Sequence, residues 1–81
     1  MQHFRSPQFR RTLEKFTPQI QKVFEKQLRF LLMDIRHPSL RAKKYDEAVG
    51  IWQARVTDNI RFYFAIENDM YLLLSIEKHK D

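Results

Sequence analysis

Residues 51–79 read IWQARVTDNIRFYFAIENDMYLLLSIEKH, and the fold follows from how this stretch alternates. Trp52, Ala54 and Val56 fall on one side of the first run, and Gln53, Arg55 and Thr57 on the other. In the second run Phe62, Phe64 and Ile66 oppose Arg61, Tyr63 and Ala65. In the third, Leu72, Leu74 and Ile76 oppose Tyr71, Leu73, Ser75, Glu77 and His79. Period-two alternation rich in aromatic and β-branched residues predicts strands with one buried face. Asp58-Asn59 and Asn68-Asp69 break the runs, and both residue types tolerate the left-handed backbone of tight hairpin turns. The expectation is an antiparallel three-stranded meander. Its apolar face needs a cover, and its other face gathers Arg55, Arg61, Tyr63, Glu77 and His79.

The preceding residues supply the cover. Gln2 to Arg5 can form a short strand. Ser6-Pro7 and Thr17-Pro18 are both helix starts, with a hydroxyl at the N-cap and proline at the first helical position. Phe9, Leu13 and Phe16 form the apolar stripe of a first helix ending near Phe16. Ile20, Val23, Phe24, Leu28, Leu31, Leu32 and Ile35 follow a 3.6 period in a second, predicted from Pro18 to Arg36. At 1.5 Å per residue that rod is about 28 Å long, enough to cross a small sheet. His37-Pro38 ends it, because a residue before proline is pushed out of the helical region. Pro38 to Gly50 is expected to be an irregular connection carrying Arg41, Lys43 and Lys44, suited to gripping phosphates. The fold class is therefore α+β: a short N-terminal strand and a helical hairpin packed on a C-terminal meander, in one domain over residues 1–81.

Composition narrows the function. With 81 residues the chain buries only about 60% of its unfolded surface, so a bound partner would add much to its stability. Fifteen Lys and Arg against ten Asp and Glu give a net charge of +5, which favours a polyanion or an acidic protein. There is no cysteine, and the three histidines have no ligand spacing, so no metal site or cofactor is expected. The single glycine, Gly50, excludes a glycine-rich phosphate loop. No apolar run reaches membrane-span or signal-peptide length, so the expected setting is cytoplasmic and away from the membrane.

Several pieces in order resemble one family. His37-Pro38-Ser39-Leu40-Arg41, Trp52-Gln53-Ala54-Arg55-Val56, Asn59-Ile60-Arg61-Phe62-Tyr63-Phe64 and Leu73 to His79 are similar, in sequence and spacing, to the RelE/ParE toxins of bacterial type II toxin–antitoxin modules. The resemblance spans nearly the whole chain. It implies a toxin restrained by a cognate antitoxin, and two candidate targets. RelE-like members are ribosome-dependent endoribonucleases (messenger RNA interferases) that cleave messenger RNA and so inhibit translation. ParE-like members share the fold and inhibit DNA gyrase. A third outcome is a non-catalytic relic that only binds antitoxin.

By that resemblance Arg61 and His79 stand where nuclease relatives carry catalytic residues. The chemistry suits them: a guanidinium matches phosphate oxygens and stays charged, and an imidazole moves protons near neutral pH. Arg41, Lys43, Lys44, Arg55 and Tyr63 are the expected RNA-binding residues, with Tyr63 stacking on a base or bonding a phosphate. The chain departs from the pattern in two respects. Lys80 and Asp81 replace the aromatic residue found after the histidine in several relatives, and no acid aligns with their carboxylate base. Glu47 and Glu77 are the nearest substitutes.

Overall fold

The computed structural model describes residues 1–79. Its elements are β1 (Gln2–Arg5), α1 (Pro7–Glu14), α2 (Pro18–Met33), a 3₁₀ turn (Pro38–Leu40), β2 (Lys43–Asp46), β3 (Ile51–Arg55), β4 (Ile60–Glu67) and β5 (Met70–Lys78). The five strands form one sheet in the order β1-β5-β4-β3-β2. The meander of β3, β4 and β5 is present and antiparallel. Two strands widen it. β1 pairs parallel with β5, and β2 pairs antiparallel with β3 where an irregular connection was expected. The run Lys43–Asp46 is exposed throughout, so no burial pattern marked it as a strand.

Both helices start at the expected caps. The Ser6 hydroxyl accepts from the Phe9 amide, and the Thr17 hydroxyl from Ile20. The second helix stops three residues short of Arg36. Asp34 is extended there, and its carboxylate accepts from the Arg36 amide at 2.9 Å. That short turn competes with another helical bond. The same amide bond is the largest cause holding the Asp34 carboxyl below its ordinary pKa. The hairpin turns also differ. Asn68 and Asp69 are both left-handed, as a two-residue hairpin requires. Asp58 and Asn59 are not; the Ile60 amide closes that turn on the Thr57 carbonyl instead.

The core lies between the helices and the inner sheet face. Phe9 of α1 meets Phe24 of α2 at 5.2 Å between ring centroids, and Phe24 meets Phe62 edge-on at 5.3 Å. Along β5 the expected alternation fails. Tyr71, Leu73 and Ile76 are buried, while Leu72 and Leu74 are only partly so. The cause is a bulge: Tyr63 stands opposite Ser75 but Phe64 opposite Leu73, leaving Leu74 as an extra residue. One added residue switches every later side chain to the other face. Ile66, expected in the core, lies exposed at the end of β4.

Candidate functional site

Opposed residues in a sheet share a face, as do residues two apart along a strand. On the outer face Lys43, Gln53, Tyr63 and Ser75 stand in one row across β2 to β5. Arg55, Arg61 and Glu77 form the next row. Arg41, Lys43, Gln53, Arg55 and Arg61 together line a pocket of about 200 Å³. Its four cations include no carboxylate among the lining residues. They repel one another, and an anion bound among them would relieve that repulsion.

Three of the cations, Arg41, Arg55 and Arg61, are placed by contacts of their backbone or side chain. Arg41 follows the 3₁₀ turn with φ of +47°, a left-handed conformation uncommon for a residue with a side chain. Its amide bonds the Pro38 carbonyl at 3.3 Å, which fixes where the chain leaves the turn. Arg55 Nη1 is 3.3 Å from Asp58 Oδ1. Asp58 is almost fully exposed, so this pair contributes roughly 0–1 kcal/mol and is easily exchanged for a phosphate. Arg61 Nη1 donates to the carbonyls of Thr57, Asp58 and Ile60. The turn between β3 and β4 thus holds the Arg61 guanidinium by one nitrogen.

A buried amide supports both sides of the pocket. Gln27 of α2 is only 2% exposed. Its Nε2 donates to the carbonyls of Ser39, at 3.0 Å, and Arg55, at 2.8 Å. Its Oε1 accepts from the Ser39 hydroxyl at 2.8 Å. The segment leading to Arg41 and the end of β3 bearing Arg55 are therefore tied to one helix. The signal for Gln27 was available: it is a polar residue set within the stripe of Phe24, Leu28 and Leu31.

Other expected site residues lie elsewhere. Lys44 is opposite Trp52, its ammonium 5.9 Å from the indole centroid, so it does not share the pocket with Lys43. Strand alternation prevents adjacent lysines from facing the same way. Tyr63 is 7% exposed and sits against Tyr45, with ring centroids 5.0 Å apart. Burial raises the pKa of its hydroxyl, as do the charges of Glu77 and Tyr45, against an opposing effect of Arg61. His79 follows the end of β5; its amide donates to the Asn59 carbonyl and its side chain is exposed. Parity places it on the face of Glu77, outside the residues lining the cationic pocket. Glu47 is exposed in the turn after β2. His37 stacks on Phe30 at 3.8 Å and accepts from the Ser39 amide, as a local structural histidine would. Gln53 and Tyr45 were not among the expected site residues. Tyr45 went unnoticed because its strand did.

Among the described residues, no group of three or more His, Cys, Asp or Glu side chains is placed to hold a metal, and no helix is long and apolar enough to cross a membrane. No family model matches the sequence, and no curated protein sequence matches it. Solved structures do match in shape. The YoeB/ParE toxin from Agrobacterium tumefaciens superimposes with a TM-score of 0.82 at 12% identity, covering 99% of this chain and 100% of that one. YoeB–YefM from Staphylococcus aureus gives 0.80 at 14% identity, covering 99% and 98%. The archaeal RelE–RelB complex from Pyrococcus horikoshii gives 0.79 at 12% identity, covering 95% and 92%. With coverage nearly complete in both directions, this chain has the fold of the YoeB, RelE and ParE toxins.

Proposed function

We propose that this chain is the toxin of a type II toxin–antitoxin pair and that it cleaves messenger RNA on the ribosome. The observation that carries the reading is the convergence of Arg41, Lys43, Arg55 and Arg61 on one pocket of the open sheet face. The pocket suits a phosphodiester, with Arg41, Lys43 and Arg55 holding nonbridging and flanking oxygens. Cleavage proceeds when the ribose 2′-hydroxyl attacks phosphorus, giving up its proton to solvent. The bond to the 5′-oxygen then breaks. The products are a 2′,3′-cyclic phosphate and a 5′-hydroxyl. Arg61 balances the charge of the phosphorane, and His79 supplies the proton to the leaving 5′-oxygen. No metal or cofactor takes part in this scheme. Two of the solved neighbours are complexes with the antitoxins YefM and RelB, which supports an antitoxin partner here, and the net charge of +5 suits an acidic one.

The test is short induction of wild type, Arg61→Ala and His79→Ala, with 5′ ends of messenger RNA mapped within minutes. Cuts at fixed codon positions are expected in the wild type. Loss of one charge-stabilising donor should reduce cleavage by about 10²- to 10³-fold in Arg61→Ala. A second reading, a ParE-like inhibitor of DNA gyrase, has its own support. Arg61 is engaged within the protein by turn carbonyls, and His79 does not line the pocket. Arrested growth with falling DNA supercoiling and no new RNA ends would select it. Normal growth with soluble protein would leave only an antitoxin-binding relic.

A further inference from the structure

The turn that delivers Arg41 to the cationic pocket is held at one residue, Ser39, from two sides. Gln27 bonds its carbonyl and its hydroxyl from the core. On the other side the Ser39 amide donates to Nδ1 of His37 at 3.2 Å. Pro38 has no N–H, so this amide is the first free donor of the 3₁₀ turn, and the His37 side chain caps it. The ring is itself fixed. It lies flat on Phe30 of α2, with 6° between the ring planes. The His37 amide donates to the Asp34 carbonyl at 2.9 Å. Beyond Ser39 come Leu40, whose side chain is fully buried, and the Arg41 amide, which closes on the Pro38 carbonyl. Of the two groups that hold Ser39, a carboxamide carries no titrating proton and an imidazole does.

We infer that His37 is a positioning residue for the cationic pocket: its unprotonated Nδ1 holds the turn that sets Arg41, and phosphate binding weakens when the ring gains a proton. The inference rests on the reading of that pocket as an RNA phosphate site. A neutral imidazole has one nitrogen that accepts, whereas a protonated one has two that only donate. Protonation therefore sets two N–H groups against each other, and the ring must leave Ser39. The charged and titratable groups at this corner are Asp34 and Arg36 after α2, Arg41 after the turn, and Tyr71 of β5, whose pKa is raised by burial and further by Asp34. Asp34 bonds the Arg36 amide and also feels the charge of His37. A charged ring is thus drawn toward Asp34 and away from Ser39. Gln27 alone then holds Ser39, and the left-handed Arg41 loses part of its support.

The experiment compares wild type, His37→Asn and His37→Phe as full chains, binding a labelled, uncleavable 2′-O-methyl oligouridine at 50 mM salt and at pH 7.5 and 5.5. The bases and phosphodiesters of this probe keep their charge across that range. Asparagine keeps a side-chain acceptor for the amide two residues on but loses the stack; phenylalanine keeps the stack and loses the acceptor. Acid makes any protein more positive, which by itself strengthens binding to a polyanion. Wild type should instead weaken about 3- to 10-fold from pH 7.5 to 5.5, as the loss of one hydrogen bond implies. His37→Asn should bind within about twofold of wild type at pH 7.5 and should not weaken in acid. His37→Phe should be as weak at both pH values as acidified wild type. His3 and His79 are present in all three proteins, so the differences belong to His37. In amide NMR spectra of the wild type, Ser39 and Arg41 should shift as the His37 ring titrates, and melting curves confirm that each variant folds. Wild-type affinity that holds or rises in acid, an acid loss that persists in His37→Asn, or Ser39 and Arg41 amides that stay fixed while the ring titrates overturns the inference and leaves the pocket standing. No binding of the oligomer at either pH overturns it together with the RNA reading on which it rests.

Discussion

The inner face of the sheet presents Ala54, Phe62, Leu73 and Ile76, all fully buried, whereas the outer face of the same strands presents Gln53, Arg55, Arg61 and Glu77, none of them buried. The inner side is stabilised by area removed from water and by ring contacts such as Phe24–Phe62. On the outer side like charges are gathered, which opposes folding unless something fixes the strands beneath them. The contrast assigns a role to each side. Inner packing holds the backbone positions that keep Arg55 and Arg61 as neighbours, and outer residues are then free to be chosen for what they bind.

Substitutions on the two faces should therefore separate stability from binding. The largest effect is expected from Phe62→Ala, which empties the centre of the inner face. It should cost about 3–5 kcal/mol. A domain this size has roughly 4–12 kcal/mol in all, so urea denaturation should show a much lower midpoint and every outer-face activity should fall with it. Gln27→Leu breaks the separation from the inside. It leaves the Ser39 and Arg55 carbonyls and the Ser39 hydroxyl without their partner, and should cost about 1–3 kcal/mol. Its RNA affinity should fall further than that of an equally destabilised core variant, because Arg41 and Arg55 lose their common tether.

The comparison sharpens within a single strand. Lys43→Ala should lower RNA affinity and reduce the slope of log affinity against log salt by about 0.7. Lys44→Ala, facing Trp52, should change that slope little. The smallest effect belongs to His3. Burial and the neighbouring Arg5 hold its pKa below 6.5, against the opposing charge of Glu25. The folded state thus disfavours the protonated ring, and the unfolded state binds the extra proton first. The contribution of His3 is present above pH 6.5 and is lost as pH falls through its lowered pKa. Thermal melts at pH 7.5 and 5 should show a small loss of stability that His3→Gln reduces.

Much of this was legible in the sequence. Period-two runs and hydroxyl-proline pairs gave β3, β4, β5 and both helix starts, because burial and capping leave local marks. That Arg55 and Arg61 share the outer face also followed from parity, whereas their direct pairing is seen in the strand register. What escaped detection depended on partners distant in sequence. β2 is exposed on all four residues, so nothing in its own composition separates it from a loop. The bulge at Leu74 reverses the parity of Tyr71 and Leu73, and it exists only in the register between two strands. Lys43 and Lys44 looked like one basic cluster until β2 turned them to opposite faces. The Gln27 network joins residues 12 and 28 positions apart.

The parallel pairing of β1 with β5 bears on when the molecule can exist at all. Gln2 to Arg5 lie beside Met70 to Leu73, and the Ser6 amide and hydroxyl bond the carbonyls of Leu73 and Leu74. β1 must wait for β5, and both helices lie between them in the sequence. During synthesis the edge of β1 stays unpaired and the row from Lys43 to Ser75 is incomplete. A nascent chain on its own ribosome therefore lacks the finished outer face until β5 emerges. Such long-range closure folds more slowly than a local hairpin. The connectivity acts as a timer: whatever the outer face does to a target, it begins only after β5 has been translated.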